Sequence, residues 1–281
     1  MNRTEMPPIK DALHFDLRLK PYDYYELHNG VPVYAIHAGA QEVLQLELVF
    51  YAGNFYEPQK GVAAATNFLL KNGTQHRSAF QINEDFEYYG AYCNRACYNE
   101  TAVISLHTLS KHTEKLLPVL EDMISNSTMP EEELLIYKQN SIQRLTVNLK
   151  KSEFVADRLI NGYLYGTAHP YGMSSMPLDI EAISLEKIRA FYEKYYQTGQ
   201  CAIFVAGHLP TNLMELLNRF LGGLKLSKPS FTTPNIQPSP AATKKYRVEN
   251  DAQGVQGAIR IATPFPNRHH PDFKKVMVLN T

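Results

Sequence analysis

Runs of alternating apolar and polar residues mark the strands of this chain, and helical stripes fill the spaces between them. Residues 43–51 set Leu44, Leu46, Leu48 and Phe50 on one face and Gln45, Glu47 and Val49 on the other, the period of a half-buried strand. Asn29-Gly30 is a turn signal ahead of a second strand over residues 31–36. Residues 102–109 alternate as well, with Ile104 and Leu106 on one face. The short apolar run 201–206, closed by Gly207, predicts a buried strand.

Residues 115–125 carry Leu116, Leu117, Val119, Leu120, Met123 and Ile124 as one helical stripe. Thr128 followed by Glu131 has the spacing of a capping box, and residues 131–148 then run without Gly or Pro. Ser184 is placed to cap a helix whose inner face is Ile188, Phe191, Tyr192 and Tyr195. Thr211 is placed to cap another, carrying Leu213, Leu216, Leu217 and Phe220 and stopped by Gly222-Gly223. Strands grouped ahead of helices predict an α+β fold with a largely antiparallel sheet and helices packed on one side. From 226 to 245 Pro229, Pro234, Pro238 and Pro240 stand among Ser and Thr, the composition of an extended linker. Residues 256–263 then predict a further strand, and Pro271 opens a helix through Phe273, Val276 and Leu279. The sequence stops at Asn280-Thr281 inside that helix, so a longer parent protein is expected.

Composition changes this picture little. The 281 residues suffice for one large or two modest domains, and 44% hydrophobic with 20% charged content is that of an ordinary globular chain. Twenty-eight basic residues balance 28 acidic ones, which speaks against nucleic-acid or anionic-membrane partners, and Lys150-Lys151 and Lys244-Lys245 are only pairs. The opening Met1 to Pro8 has no apolar signal-peptide core, and no run reaches membrane-spanning length; cytoplasm is the expected compartment. Three cysteines are too few for a disulfide framework. Cys93 and Cys97 share a face if their segment is a strand, which leaves open buried free thiols, a bridge or a two-sulfur metal contact. Tyr88, Tyr89, Tyr92 and Tyr98 crowd one region, read first as core packing and second as a peptide-binding surface.

The stretch Gly61-Val62-Ala63-Ala64-Ala65-Thr66-Asn67-Phe68-Leu69-Leu70-Lys71-Asn72-Gly73-Thr74 carries the most chemistry, by what it lacks. It resembles the zinc helix of the pitrilysin, insulinase and mitochondrial processing peptidase family, the inverted zincins. There a Gly-hydrophobic-Ala opening leads into H-x-x-E-H and closes on Gly-Thr. Counted back from Gly73-Thr74, the two His positions fall on Ala64 and Phe68 and the Glu on Asn67. H-x-x-E-H works because i and i+4 share a helix face with the Glu beside the bound water. Ala and Phe offer no lone pair to a cation, and a neutral Asn takes no proton from water. The family's third ligand is a Glu on the helix that begins here at Pro130-Glu131-Glu132-Glu133, and its position falls on Arg144, a permanent cation. The resemblance extends through Asn29-Gly30-Val31, Ala52-Gly53 with Glu57, Gly90 to Asn94, Asn99-Glu100-Thr101, His169-Pro170-Tyr171-Gly172, and Ile180 to Tyr196.

The resemblance implies a LuxS/mitochondrial-processing-peptidase-like metallohydrolase fold. It divides the chain into a peptidase-like domain over 1–225, a linker over 226–245 and the start of a second, homologous domain over 246–281. It further implies a non-catalytic subunit that holds peptide while a zinc-bearing partner subunit of the same family supplies metal and base, with no metal or cofactor held by this chain. Two alternatives stand beside it: a structural core-type subunit, and a metallopeptidase with a displaced metal site. For the latter, ten His are present, but none pairs at i,i+4 and His269-His270 is the nearest cluster. The His169 loop reads as turn chemistry, and no G-x-S-x-G elbow, P-loop or dinucleotide fingerprint occurs.

Overall fold

Four of the alternating runs become strands of one six-stranded sheet in this computed structural model, which describes residues 18–230, 236–242, 246–249, 254, 256–265 and 267–279. The strands are β1 (Asp23–Glu26), β2 (Pro32–His37), β3 (Val43–Phe50), β4 (Tyr92–Cys97), β5 (Ala102–Leu109) and β6 (Cys201–Gly207). Their order is β1-β2-β6-β3-β5-β4, and only the β2–β6 pair is parallel. β3 lies between β5 and β6, with Leu46 opposite both Leu106 and Val205 and Leu48 opposite Ile104 and Ile203. The even-numbered face of β3 is therefore buried, as its alternation predicts.

The helices are α1 (Val62–Leu69), α2 (Ala79–Tyr88), α3 (Thr113–Ser125), α4 (Glu131–Leu149), α5 (Ser152–Tyr165), α6 (Pro177–Glu181), α7 (Leu185–Tyr192), α8 (Leu213–Phe220) and α9 (Phe273–Leu279). One core joins the inner face of the sheet to α1, α3, α7 and α8. A π-helical turn continues α7 through Glu193–Gln197 and drives Tyr196 fully into that core, 4.9 Å from the Phe50 ring. The opposite face of the sheet is open. Phe204 stacks on Tyr34 there at 5.1 Å, and two depressions of about 470 and 560 Å³ lie along that face, away from α1.

Several expectations are corrected. Pro130, not Thr128, precedes α4 and makes no side-chain cap, while Thr128 binds the Gly73 carbonyl through its backbone. Asn212, not Thr211, precedes α8. Ser184 does cap α7, accepting from the Lys187 N–H at 3.3 Å. Residues 256–263 form no strand where they are described, because a strand needs a neighbour to complete its ladder. Tyr89 packs part-buried against the core, but Tyr88, Tyr92 and Tyr98 are exposed, since the end of α2, the outward side of β4 and the β4–β5 turn face water. Cys93, Cys97 and Cys201 are free thiols. The opening octapeptide, Lys244-Lys245 and Asn280-Thr281 lie outside the described residues.

Candidate functional site

The site is built on α1, and two glycines set its approach. Gly53 passes so close to the β4–β5 turn that a Cβ would sit 2.4 Å from the Asn99 carbonyl oxygen. Gly61 then takes φ 88°, the left-handed region that favours glycine, and turns the chain into the helix. Of the eight residues of α1, all are buried except Ala64 and Phe68. These two stand at i and i+4, so the helix turns one narrow stripe out of the core where the resemblance puts metal ligands.

That stripe is lined by an aromatic ring and a cation. The Arg95 guanidinium lies 5.0 Å from the centre of the Phe68 ring, and the Tyr137 ring of α4 lies 5.1 Å away. Arg95 reaches in from the helix-facing side of β4; its Nη1 donates to the Phe68 carbonyl and, at 3.1 Å, to Asn72 Oδ1. Its Nε is buried with no hydrogen-bond partner among the described residues. Asn67 points the other way, its Nδ2 donating to Tyr196 Oη at 3.2 Å. Tyr137, Ser141 and Arg144 recur at i, i+4 and i+7 on one face of α4. Arg144 is exposed and acts on the Tyr137 hydroxyl, favouring its ionised form against the burial that raises its pKa.

Burial shifts two titratable groups nearby toward their protonated forms. Burial pushes the Glu57 carboxyl up to about 7, outweighing the N–H groups of Ala63, Gly61 and Val62 that favour its charged form; the Ala63 bond is 3.0 Å. Burial, and then Glu57, push the Cys97 thiol up to about 12. Zinc asks for imidazole, thiolate or carboxylate donors. Ala64 and Phe68 supply none, Asn67 is committed to Tyr196 and Arg144 is cationic, so this donor set does not fit a zinc ion. Among the described residues no three His, Cys, Asp or Glu side chains converge. His169 is buried, its Nδ1 accepting from the Tyr171 N–H at 3.1 Å, and it braces a loop.

Two predictions arise here. Glu57 ionises near 4.5 when unfolded and near 7 when folded, so its contribution to stability is complete below about pH 4.5 and is lost as pH rises through 7. Relative to Glu57→Gln, the parent protein is expected to lose about 3 kcal/mol between pH 4.5 and pH 8; urea midpoints for both proteins across that range check this, and parallel curves refute it. Phe68→Ala is worth about 3–5 kcal/mol if the ring is core. The ring is only part-buried, so a loss of about 2 kcal/mol is expected by the same assay.

Arg95 and Tyr196 escaped the sequence reading. The period of β4 does place Arg95 between Cys93 and Cys97 on the inward face, and a charge at an inward position is the available signal. Nothing local marks Tyr196, whose place depends on the π-helical turn.

The comparisons with known proteins concern the family and the fold. The profile of insulinase (peptidase family M16) matches residues 33–168, and that of the peptidase M16 inactive domain matches residues 182–281. An uncharacterized zinc protease of Rickettsia felis is 24% identical over 221 residues, 76% of this chain and 53% of that protein. The mitochondrial-processing peptidase subunit beta of Rattus norvegicus is 25% identical over 267 residues, 91% of this chain and 52% of that one. The chain thus spans about half the length of the curated relatives it matches. Among solved structures, a peptidase M16 inactive domain from Pseudomonas fluorescens superposes with a TM-score of 0.71 at 25% identity, over 78% of this chain and 54% of that one. Pitrilysin, at 17% identity, shares the fold with a TM-score of 0.66 over 85% of this chain and 26% of its own. Two adjoining profiles and a shared fold make the same assignment as the frame of α1: the chain belongs to the insulinase family of peptidases, family M16.

Proposed function

We propose that this chain is the non-catalytic member of a two-subunit cytoplasmic peptidase, binding and orienting peptide while a zinc-bearing subunit of its own family supplies metal, water and base. The observation that carries the proposal is the open stripe of α1: its i,i+4 positions are Ala64 and Phe68, with Arg95 over the ring and Arg144 where the third ligand belongs. A cation placed there meets positive charge and no donor, so the zinc site is lost in this reading, and catalysis falls to the partner. The wall beside α1 remains suited to a peptide. Among the described residues β4 is an edge strand, paired only with β5, and an extended peptide adds to such an edge through main-chain hydrogen bonds. Residues 1–225 would form the peptidase-like domain, 226–245 the linker and 246–281 the opening of a homologous domain.

Affinity capture of the tagged chain from its native host tests this. Stoichiometric recovery of a family member with an intact H-x-x-E-H, and peptidase activity in the complex that neither chain has alone, is the expected result. Recovery with a membrane complex, or of the chain by itself, would replace this reading with that of a structural subunit.

A further inference from the structure

Arg95 and Arg144 stand around the corner between α1, α4 and β4, with Lys71 beyond it over the Phe86 ring and Glu57 and Glu133 among its acids. Lys71 follows α1, Arg95 crosses its C-terminal end and Arg144 stands on the facing side of α4. Among the described residues no carboxylate is ion-paired with any of the three. The nearest acid along the hydrogen-bond network, Glu133, is turned elsewhere: Asn72 donates to it at 2.6 Å and accepts from Arg95 with its other amide atom. The Asn72 amide thus separates the two charges.

Arg95 has a structural task, since its Nη1 covers the Phe68 carbonyl at the negative end of the helix. That task uses one edge of the guanidinium. Nε is buried without a hydrogen-bond partner among the described residues, and leaving such a donor unmatched is costly. Arg144 needs no structural explanation at all: it is exposed, lies on the Tyr137 face of α4, and packs no core. Arg95 lies 5.0 Å from the Phe68 ring, which meets the Tyr137 ring at a tilt of 41°, and Arg144 stands two turns further along the Tyr137 face of α4.

We propose that this corner is a carboxylate subsite, in which Arg95 and Arg144 together hold a carboxylate of the peptide laid along β4. The inference rests on the peptide-binding reading above and gives it a substrate class: peptides bearing an acidic side chain, or ending in a free C-terminus, at the position that crosses α1. Guanidinium–carboxylate bonds are charge-assisted and match the planar fork of Arg. The site is thereby inverted: where active relatives would hold a cation, this chain receives an anion.

Fluorescein-labelled octapeptides of alanine and serine test it, each carrying one central Glu or Gln and a free or amidated C-terminus, titrated with the 281-residue chain by polarisation. The expected result is at least about tenfold tighter binding of one carboxylate-bearing form over its neutral counterpart. The Glu/Gln comparison and the acid/amide comparison tell which carboxylate is read. Arg144→Gln is exposed and leaves the fold intact, and it should reduce that preference severalfold while leaving neutral peptides unchanged; Arg95→Met should abolish it. Equal binding of charged and neutral peptides, or a preference untouched by Arg144→Gln, overturns the subsite and leaves peptide binding standing. No binding of any peptide removes the peptide-binding reading and the subsite with it.

Discussion

Ala64→His, Asn67→Glu, Phe68→His and Arg144→Glu combined are expected to make this chain take up one zinc ion per molecule at the corner of α1 and α4. Ala64 and Phe68 are the two residues of α1 that are only part-buried, so imidazoles there share a face, with the Phe68 ring the one packed group displaced. Arg144 occupies the face of α4 whose Tyr137 already touches Phe68, which brings a carboxylate at that position toward the same point. Three such ligands support at least micromolar affinity, about 8 kcal/mol. Arg95 opposes it, and adding Arg95→Ala should tighten zinc further, since a guanidinium 5.0 Å from the Phe68 ring repels the ion. Equilibrium dialysis with metal analysis decides the matter. A quadruple variant that keeps its circular dichroism and binds no zinc would show that the alignment of α4 with α1 is wrong.

Asp122→Ala is expected to be the most destabilising single change at a polar residue, at about 3–5 kcal/mol. The carboxylate is buried on α3, and it gathers the loop that follows α1. Thr74 Oγ1 donates to it at 2.6 Å, Arg77 Nη1 at 2.7 Å and Asn126 Nδ2 at 2.9 Å, with His76 Nδ1 at 2.7 Å. Burial alone would raise its pKa; the hydrogen bonds from Thr74, His76, Asn126 and Arg77 outweigh it and hold the carboxyl below its usual range. The contribution is therefore present above about pH 3.8 and is lost as pH falls through the depressed folded value. Removing the acid leaves Arg77 part-buried with only Asp85, at 2.9 Å, as an ion partner among the described residues. Urea unfolding at pH 7 checks the magnitude, and a loss under about 1 kcal/mol would mean that water replaces the carboxylate at little cost. Because Asp122 anchors the segment beyond Gly73, the same variant should loosen the C-terminal end of α1, visible as faster amide exchange there.

Legibility along the chain follows the range of the forces involved. The β3 and β5 alternations and the α3 stripe were readable because burial on one face imposes a short period on a single segment, and β6 because a short apolar run closed by Gly marks a buried strand. α2 and α5 were not anticipated. α2 is mostly polar, with only Ile82 and Phe86 buried, and no residue of α5 is buried, so neither carries a strong stripe. The capping box before α4 failed for a different reason: Pro130 sets the backbone at that helix start, whatever Thr128 and Glu131 offer.

For the site, the chain alone determined which side chains stand at each position. Spacing between glycines and helix starts is local, so the absence of donors at Ala64, Asn67 and Phe68 is readable without a fold. What replaced those donors was decided only in three dimensions. Arg95 is distant in sequence from Phe68 and further still from Tyr137, and their meeting depends on β4 laying its inward face across α1. Asn67 finds Tyr196 only because a π-helical turn late in the chain drives that ring into the core. Residue identity excludes a chemistry one position at a time, whereas a new constellation is a property of packing between elements that no single segment contains.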